Sequence, residues 1–149
     1  MKTVLVDFSH EFLNLSWVWL NDEEIKRLTN TPSFTLENQL NWYSSIGEIS
    51  DYLIWGIEVD SKKVGACGLK NITKVDFEYW GYIGEKDYWG RGIGTIILLM
   101  ITEKAKELKL KSIWLQVCRS NIRAINLYRK MNFFSEVNKD DIIIMRKRI

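Results

Sequence analysis

Residues 88 to 95 read YWGRGIGT, and they bring three glycines directly in front of an apolar run at residues 96–101. Glycine weakens regular elements and is useful where the backbone must turn sharply or come close to another group. An apolar run without a polar face is typical of a helix that is buried on more than one side. The stretch therefore predicts a tight glycine-rich turn between a strand and the start of a buried helix.

The whole chain predicts a single α/β domain over residues 1–149. Its 149 residues, 46% of them hydrophobic, are enough for one domain with a real core. Strands outnumber helices and several strands form local hairpins, which favours a central mixed sheet with helices on both faces. In chain order the patterns predict a strand at 3–7, helices at 10–20, 23–28 and 36–45, strands at 52–59, 64–70 and 77–84, a helix at 95–108, a strand at 111–117, a helix at 121–131, and strands at 133–137 and 142–146.

Two short helices are marked by residues that commonly cap a helix. Asp22 and Thr35 each stand directly before a helical pattern, where a side-chain oxygen can accept from a free backbone N–H. In the helix after Thr35, the spacing of Leu36, Leu40 and Tyr43 predicts one apolar, core-facing side.

Composition excludes several classes of protein. With 21 basic and 19 acidic residues, the charge is too balanced to suggest nucleic acid as a partner. His10 is the only histidine, so neither a metal site nor a histidine-based catalytic triad is expected. Cys67 and Cys118 lack a CxxC neighbour, which is typical of reduced thiols. Asp7 interrupts the N-terminal apolar residues, and residues 96–101 are too few to span a bilayer. We therefore expect a cytoplasmic protein with no membrane partner. Its expected oligomeric state is a monomer or a homodimer.

The glycine turn is suited to binding an anion. The first N–H groups of a helix have no intrahelical partner and carry a partial positive charge, and glycines let a phosphate approach the N–H groups of residues 91–95. Arg91 adds a charged fork of donors. No Lys-Ser/Thr pair follows Gly94, and the third glycine comes one residue too early for a dinucleotide fingerprint. The alternative is a turn that only packs the helix against the strand.

Two motifs between Glu78 and Phe134 resemble the GNAT family of N-acetyltransferases. The loop motif of that family reads Q/R-x-x-G-x-G/A, and residues 89–94 fit it except at the first position, which is a tryptophan here. The second motif reads N-x-x-A-x-x-x-Y-x-x-x-G-F. Its matching residues are Asn121, Ala124, Tyr128 and Phe133, with Asn132 in place of glycine. Asn tolerates a left-handed backbone, so Asn132 is expected to hold the turn that glycine would favour.

The resemblance implies an acyl-CoA N-acyltransferase fold with a splayed parallel strand pair and acetyl-CoA as co-substrate, with no metal. The pyrophosphate would lie on the glycine loop, and the pantetheine arm would contact the backbone of the strand before the loop. The residues it implies for cofactor binding are Tyr82, Ile83, Gly84, Trp89, Gly90, Arg91, Gly92, Ile93, Gly94, Thr95, Asn121 and Tyr128.

The expected reaction needs a base and an acid. Only a neutral amine attacks a thioester, and Glu78, on the strand that enters the loop, is the best-placed carboxylate to take its proton. The alternative for Glu78 is a solvated strand charge, with a water relay as the base. Tyr128 matches the tyrosine that protonates the leaving thiolate in this family, and its alternative is a half-buried packing residue.

The expected acceptor is a small-molecule amine, with a nucleotide-linked amino sugar as the leading hypothesis. Residues 19–25, WLNDEEI, and residues 35–46 resemble the branch of the family that acetylates such sugars. A groove lined by tryptophans could stack on a sugar or a base; the candidates are Trp17, Trp19, Trp42, Trp55 and Trp80. Two alternatives remain open: acetylation of the N-terminus of a ribosomal or other protein, and a catalytically inactive module that binds CoA or a partner.

Overall fold

The computed structural model describes residues 1–48 and 51–149. The elements follow the order predicted from the sequence, and the observed ends lie within two residues of those expected. They are β1 (Thr3–Asp7), α1 (His10–Asn21), α2 (Glu23–Leu28), α3 (Leu36–Ser45), β2 (Leu53–Val59), β3 (Lys62–Lys70), β4 (Asp76–Ile83), α4 (Ile93–Glu107), β5 (Ser112–Cys118), α5 (Ile122–Lys130), β6 (Phe134–Lys139) and β7 (Ile142–Arg148). Within the described residues, no helix is long and apolar enough to cross a membrane.

The seven strands form one mixed sheet in the order β1-β2-β3-β4-β5-β7-β6. Every neighbouring pair is antiparallel except β4 and β5, which run parallel. Residues 76–78 of β4 pair with residues 112–114 of β5, and in the part of the chain that the structure describes this pairing goes no further. The expected splayed parallel pair is therefore confirmed, and the gap between the two strands opens toward their C-terminal ends.

The two faces of β4 pack against different layers. Phe77 and Tyr79 are buried in the larger core, together with the buried sides of α4 and α5. Tyr82 packs on the opposite face, against a smaller core formed by α1 and α2. Because side chains alternate along a strand, Glu78 and Trp80 share this second face with Tyr82. Helices thus lie on both faces of the sheet, as expected, and β4 supplies side chains to each side.

Side-chain caps fix the starts of three helices. The Asp22 carboxylate accepts from the backbone N–H groups of the first turn of α2, and Thr35 and Asn38 form a reciprocal capping box on α3. Asn121 accepts from the backbone of Ala124 at the start of α5. Caps of this kind are worth about 1 kcal/mol each. The predictions for Asp22 and Thr35 are confirmed.

The predicted apolar face of α3 is wrong at Leu36 and Leu40, whereas Tyr43 is half-buried with its ring centre 6.2 Å from that of Phe8. Leu36 and Leu40 are 52% and 44% exposed. Gln39 is buried instead, and its Nε2 donates to Ser16 Oγ at 2.7 Å and to the Leu13 carbonyl at 3.3 Å. The physical reason is that α1 presents polar groups at this contact, and buried polar groups require a hydrogen-bonding partner.

Candidate active site

The separated ends of β4 and β5 open into a cavity of about 1060 Å³. Most residues that the sequence predicted for the site line this one cavity: Glu78, Tyr82, Ile83, Trp89, Gly90, Gly92, Ile93, Gly94, Thr95, Asn121 and Tyr128. Two lie elsewhere. The Trp19 ring covers Gly84, and Arg91 is exposed beside the Tyr88 ring.

The glycine loop has the backbone geometry of an anion cradle. Gly90 and Gly92 adopt left-handed conformations with φ of 75° and 80°, and a Cβ built on either would meet nothing within 4 Å. Helix α4 begins directly after Gly92, and its first helical bond runs from Ile96 N to the Gly92 carbonyl at 3.3 Å. Among the described residues, no side chain caps this end of the helix. The N–H groups of the first turn are therefore available to an anion.

Gly94 has a different structural role from the other two glycines. It lies inside α4, and a Cβ there would stand 2.8 Å from Leu127 Cδ2 of α5. Gly94 therefore allows α4 and α5 to pack closely at the edge of the cavity. The packing explanation thus holds for Gly94, inside α4, while the anion cradle stays a prediction for Gly90 and Gly92.

Aromatic and cationic side chains brace the loop. Trp89 Nε1 donates to the Ile83 carbonyl at 2.8 Å. Trp89, which stands at the first position of the loop motif in place of Gln or Arg, thus connects the loop to β4. The Arg91 guanidinium lies 4.8 Å from the centre of the Tyr88 ring. Arg123, in the first turn of α5, lies 5.1 Å from the centre of the Trp89 ring and lines the cavity. Sequence reasoning missed Arg123, although it stands two residues after Asn121.

The backbone groups of β4 that face the gap differ in part from those expected. Gly84 N donates to the Val64 carbonyl at 2.7 Å, so this N–H is used within the sheet. Hydrogen-bonded residues alternate along an antiparallel ladder. Tyr82 therefore also pairs toward β3, while Ile83 and Gly81 turn toward β5 and the gap. Ile83 remains a candidate contact for a pantetheine arm, and Gly81 joins it.

Asn121 is committed mainly to holding the start of α5. Its Oδ1 accepts from Ala124 N at 3.2 Å, and its Nδ2 donates to the Leu28 carbonyl at 3.4 Å. The second bond ties α5 to the end of α2. Because this bond is long and Asn121 lines the cavity, its amide stays a candidate contact for a ligand.

Glu78 is a buried, hydrogen-bonded carboxylate. It is 4% exposed, so the explanation as a solvated strand charge is wrong. Asn71 Nδ2 donates to Oε1 at 2.9 Å, Gln116 Nε2 donates to Oε2 at 3.1 Å, and Lys70 Nζ lies 3.8 Å from Oε2. We call Lys70, Asn71 and Gln116 the carboxylate clamp. No sequence motif pointed to these three residues, because they come from β3, the following turn and β5.

Tyr128 reaches the cavity from α5. Its ring is half-buried and lies 5.6 Å from the Phe133 ring, measured between centres. Burial raises the pKa of Tyr128 from 10.0 to about 12. The phenol is therefore protonated at neutral pH and can donate. Asn132, next to Phe133, has a φ of 69°, which confirms the left-handed turn expected at that position of the motif.

An aromatic wall, formed by Trp42, Tyr52, Trp80 and Tyr82, lines the cavity beyond Glu78. Successive ring centres are 6.4, 6.5 and 6.3 Å apart. Burial raises the pKa of Tyr52 to about 12, with a further contribution from the negative charge of Glu78. This wall offers flat apolar faces beside one carboxylate.

The other tryptophans proposed for a groove pack elsewhere. Trp17 meets the Phe34 ring edge-on, with ring centres 5.3 Å apart, and Trp55 packs on the larger core. Trp19 is 4% exposed and covers Gly84. The tryptophan-lined groove is thus corrected to Trp42 and Trp80, together with the two tyrosines of the aromatic wall.

The stretch at residues 19–25 supports the loop structurally. Asp22 caps α2, and its Oδ2 also lies 2.9 Å from Nζ of Lys86. Lys86 precedes Gly90, the first glycine of the loop, by four residues. Trp19 Nε1 lies 3.4 Å from Glu85 Oε1. These contacts hold the corner between α1 and α2 against the end of β4.

Residues 1–48 and 51–149 contain no group of three or more His, Cys, Asp or Glu residues that could hold a metal ion.

The strand order, the splayed pair and the glycine loop before α4 define an acetyltransferase fold. Residues 13–133 match the model of the acetyltransferase (GNAT) family, and the chain belongs to that family. It is therefore an N-acetyltransferase, as the two sequence motifs predicted. The N-acetyltransferase 9-like protein of Caenorhabditis briggsae is 24% identical over 151 residues, which cover 92% of this chain and 76% of that protein.

Solved structures share the fold over nearly the whole chain. A domain from Methanocaldococcus jannaschii DSM 2661 has a TM-score of 0.88 at 20% identity, with 99% of each chain covered. The Campylobacter jejuni N-acetyltransferase PseH in complex with acetyl coenzyme A has a TM-score of 0.77 at 19% identity, again with 99% of each chain covered. At these identities the likeness establishes the fold.

Proposed function

We propose that residues 1–149 form one domain that transfers the acetyl group of acetyl-CoA to a primary amine in the cytoplasm. The observation that carries the proposal is that one cavity joins the anion cradle, the gap between β4 and β5, Tyr128 and Glu78. An acetyl-CoA molecule needs a pyrophosphate site, a channel for its arm and groups at the thioester. The cavity has candidates for all three.

The residues present fit acetyl-CoA. The space where a Cβ of Gly90 or Gly92 would stand is free, as a phosphate cradle requires. Arg123 lines the cavity, and Arg91 lies on the glycine loop between Gly90 and Gly92. Both add positive charge beside the free N–H groups of α4. The backbone of Gly81 and the N–H of Ile83 offer hydrogen bonds to the amides of the pantetheine arm, while the Ile83 carbonyl accepts from Trp89.

In the proposed reaction, the amine nitrogen attacks the thioester carbonyl and forms the new C–N bond. Before the attack, the proton of the charged amine passes to the Glu78 carboxylate, directly or through one water, because a protonated amine has no lone pair to attack with. After the attack the C–S bond breaks, the thiolate takes a proton from the Tyr128 hydroxyl, and the proton that the new amide nitrogen loses restores Tyr128 through water. Glu78 returns its proton to solvent, so one proton is released in each turnover. The products are an N-acetylated amine and free CoA.

We propose a nucleotide-linked amino sugar as the acceptor. The aromatic wall offers faces on which a sugar or a base can stack. A second cleft of about 640 Å³ has Lys26, Arg27 and Arg119 in its lining, and it shares Arg27 and Ser120 with the main cavity. A diphosphate extending from a sugar in the main cavity would meet these cations. Glu23 and Asp141 also line the cleft, so the cleft carries charges of both signs. It is therefore suited to a ligand with a small number of phosphate groups.

The test is a panel of amines assayed by release of free CoA. It includes a nucleotide-linked amino sugar, the same sugar without its nucleotide, a polyamine and peptides with free N-termini. The proposal predicts the highest kcat/KM for the nucleotide-linked sugar. Turnover only with peptides would favour an N-terminal acetyltransferase, and CoA binding without turnover of any amine would favour an inactive binding module.

Variants of the second cleft sharpen this test. Replacing Arg27 or Arg119 by Ala should raise KM for the nucleotide-linked sugar at least about tenfold, since a charged hydrogen bond is worth about 1.5 kcal/mol or more. The KM for the sugar without its nucleotide should stay unchanged. Arg129→Ala removes the same charge from an exposed position of α5 and is the matched control. Equal effects on both sugars would contradict a phosphate contact in this cleft.

A further inference from the structure

The hydrogen bond from Gln116 to Glu78 crosses the gap between β4 and β5 at the point where the gap opens. Glu78 and Trp114 are the last paired residues of the two parallel strands. Gln116 stands two residues beyond Trp114 and therefore on the same face of the sheet. Its backbone is held by pairing with Ile144 of β7. The Gln116 amide thus links the carboxylate on one side of the gap to a fixed strand on the other.

We propose that Gln116 is a positioning residue for acetyl transfer, which holds the Glu78 carboxylate in place and aimed at the acceptor amine. This inference rests on the proposed function. A carboxylate with 4% exposure is costly unless its oxygens are hydrogen-bonded. Oε2 has Gln116 and the more distant Lys70 as partners, while Oε1 has Asn71. Each oxygen has about two acceptor directions, so one direction on Oε1 remains for the proton of the amine.

Gln116 is the best member of the carboxylate clamp to test. Its side chain is exposed to the cavity, so its replacement removes little core packing. Asn71 has a φ of 51°, and a substitution there would disturb the turn itself. The charged or titratable groups that face Glu78 are Lys70 from β3 and Tyr52 before β2, and both stay in place when Gln116 is changed.

The test is Gln116→Met, which keeps the length of the side chain and removes the donor. We expect kcat to fall about tenfold, because misplacing a catalytic group by about 1 Å can cost up to about a hundredfold. The KM for acetyl-CoA should stay within about twofold, since Gln116 does not belong to the proposed cofactor contacts. An unchanged kcat would overturn the proposal.

A matched pair of lysine variants separates local from overall charge. Lys70→Met removes the ion-pair partner of Glu78 and should lower kcat, as Gln116→Met does. Lys74→Met makes the same chemical change at an exposed position of the turn before β4 and should leave kcat unchanged. If both lysine variants lowered kcat equally, overall charge would explain the effect and the clamp would be refuted.

Two further measurements distinguish failure of this inference from failure of the proposed function. In a Glu78→Gln background, Gln116→Met should add no further loss, and an additive loss would show that Gln116 acts without Glu78. The carboxyl carbon signal of Glu78 in NMR reports the hydrogen bonds of this carboxylate without any turnover. At one fixed pH the chemical shift should differ between Gln116→Met and the wild type, even if no tested amine is acetylated. Identical chemical shifts would reject the clamp whether or not the protein is active.

Discussion

A substitution at Gly92 should weaken acetyl-CoA binding through two separable effects. The residue has a φ of 80°, which side chains with a Cβ rarely adopt, and the space around its missing Cβ is open. Alanine in a left-handed conformation costs about 1–2 kcal/mol of stability. The new methyl group would also stand where the cradle is free to receive a phosphate. Gly92→Ala should therefore lower both the free energy of unfolding and the affinity for acetyl-CoA.

The size of the affinity loss follows from the bonds at stake. The methyl group would push a phosphate away from the N–H groups at the start of α4, so at least one charge-assisted hydrogen bond would be lost. Such a bond is worth about 1.5–3 kcal/mol, which corresponds to an affinity loss of about 10- to 100-fold. Gly94→Ala should have a smaller effect on binding, because its Cβ would meet only the flexible end of Leu127.

Calorimetric titration with acetyl-CoA measures the affinity, and denaturant unfolding measures the stability. Gly92→Asn is the informative variant, since Asn tolerates a left-handed backbone and so removes most of the strain while still placing a side chain in the cradle. Gly47→Ala, at an exposed glycine with nothing within 4 Å of its Cβ position, is the control for the same chemical change. Wild-type affinity in Gly92→Asn would refute the cradle.

Three further results are expected. Tyr128→Phe should lower kcat by about 10- to 1,000-fold with KM for acetyl-CoA within a few fold, as steady-state kinetics will measure; an unchanged kcat would leave Tyr128 as a packing residue. Glu78→Gln should reduce the rate most at neutral pH and less at high pH, where free amine is abundant, whereas a wild-type rate at every pH would assign proton removal to water. Burial raises the pKa of Tyr128 and Tyr52 to about 12, so below pH 10 these phenols are protonated in the folded and unfolded chains alike. Between pH 10 and 12 the unfolded chain ionises first, so the free energy of unfolding should fall, and Tyr128→Phe should make that fall less steep.

The sequence predicts the order of the elements because local signals mark most of their ends. Asp22 and Thr35 are good caps and do cap their helices. The three glycines and the apolar run locate the start of α4. The apolar face of α3 could not be predicted in the same way. Its orientation depends on a buried contact between Gln39 and Ser16, and periodicity in one helix carries no information about polar groups on another.

The candidate site was predictable where it follows the backbone and unpredictable where it depends on pairing across the sheet. Tyr128 and the glycines belong to short motifs with fixed spacing. Asn71 and Gln116 reach Glu78 from positions 7 and 38 residues away in the chain. The burial of Glu78 follows only from that meeting, which is why the sequence alone could not separate a solvated charge from a buried, hydrogen-bonded carboxylate.

The structure also changes which residues bear on acceptor choice. Residues 19–25 suggested an amino-sugar acceptor by resemblance, yet Trp19 covers Gly84 and Asp22 pairs with Lys86 beside the glycine loop. These two residues of the stretch therefore support the loop, whereas Leu20, Glu24 and Ile25 of the same stretch line the cavity. Acceptor choice must depend on side chains that reach the cavity, such as Trp42 and Trp80. Substitutions in the aromatic wall should consequently change the ranking of amines by kcat/KM. Trp19→Phe should instead lower the stability of the protein and its affinity for acetyl-CoA, and so reduce activity with all amines alike.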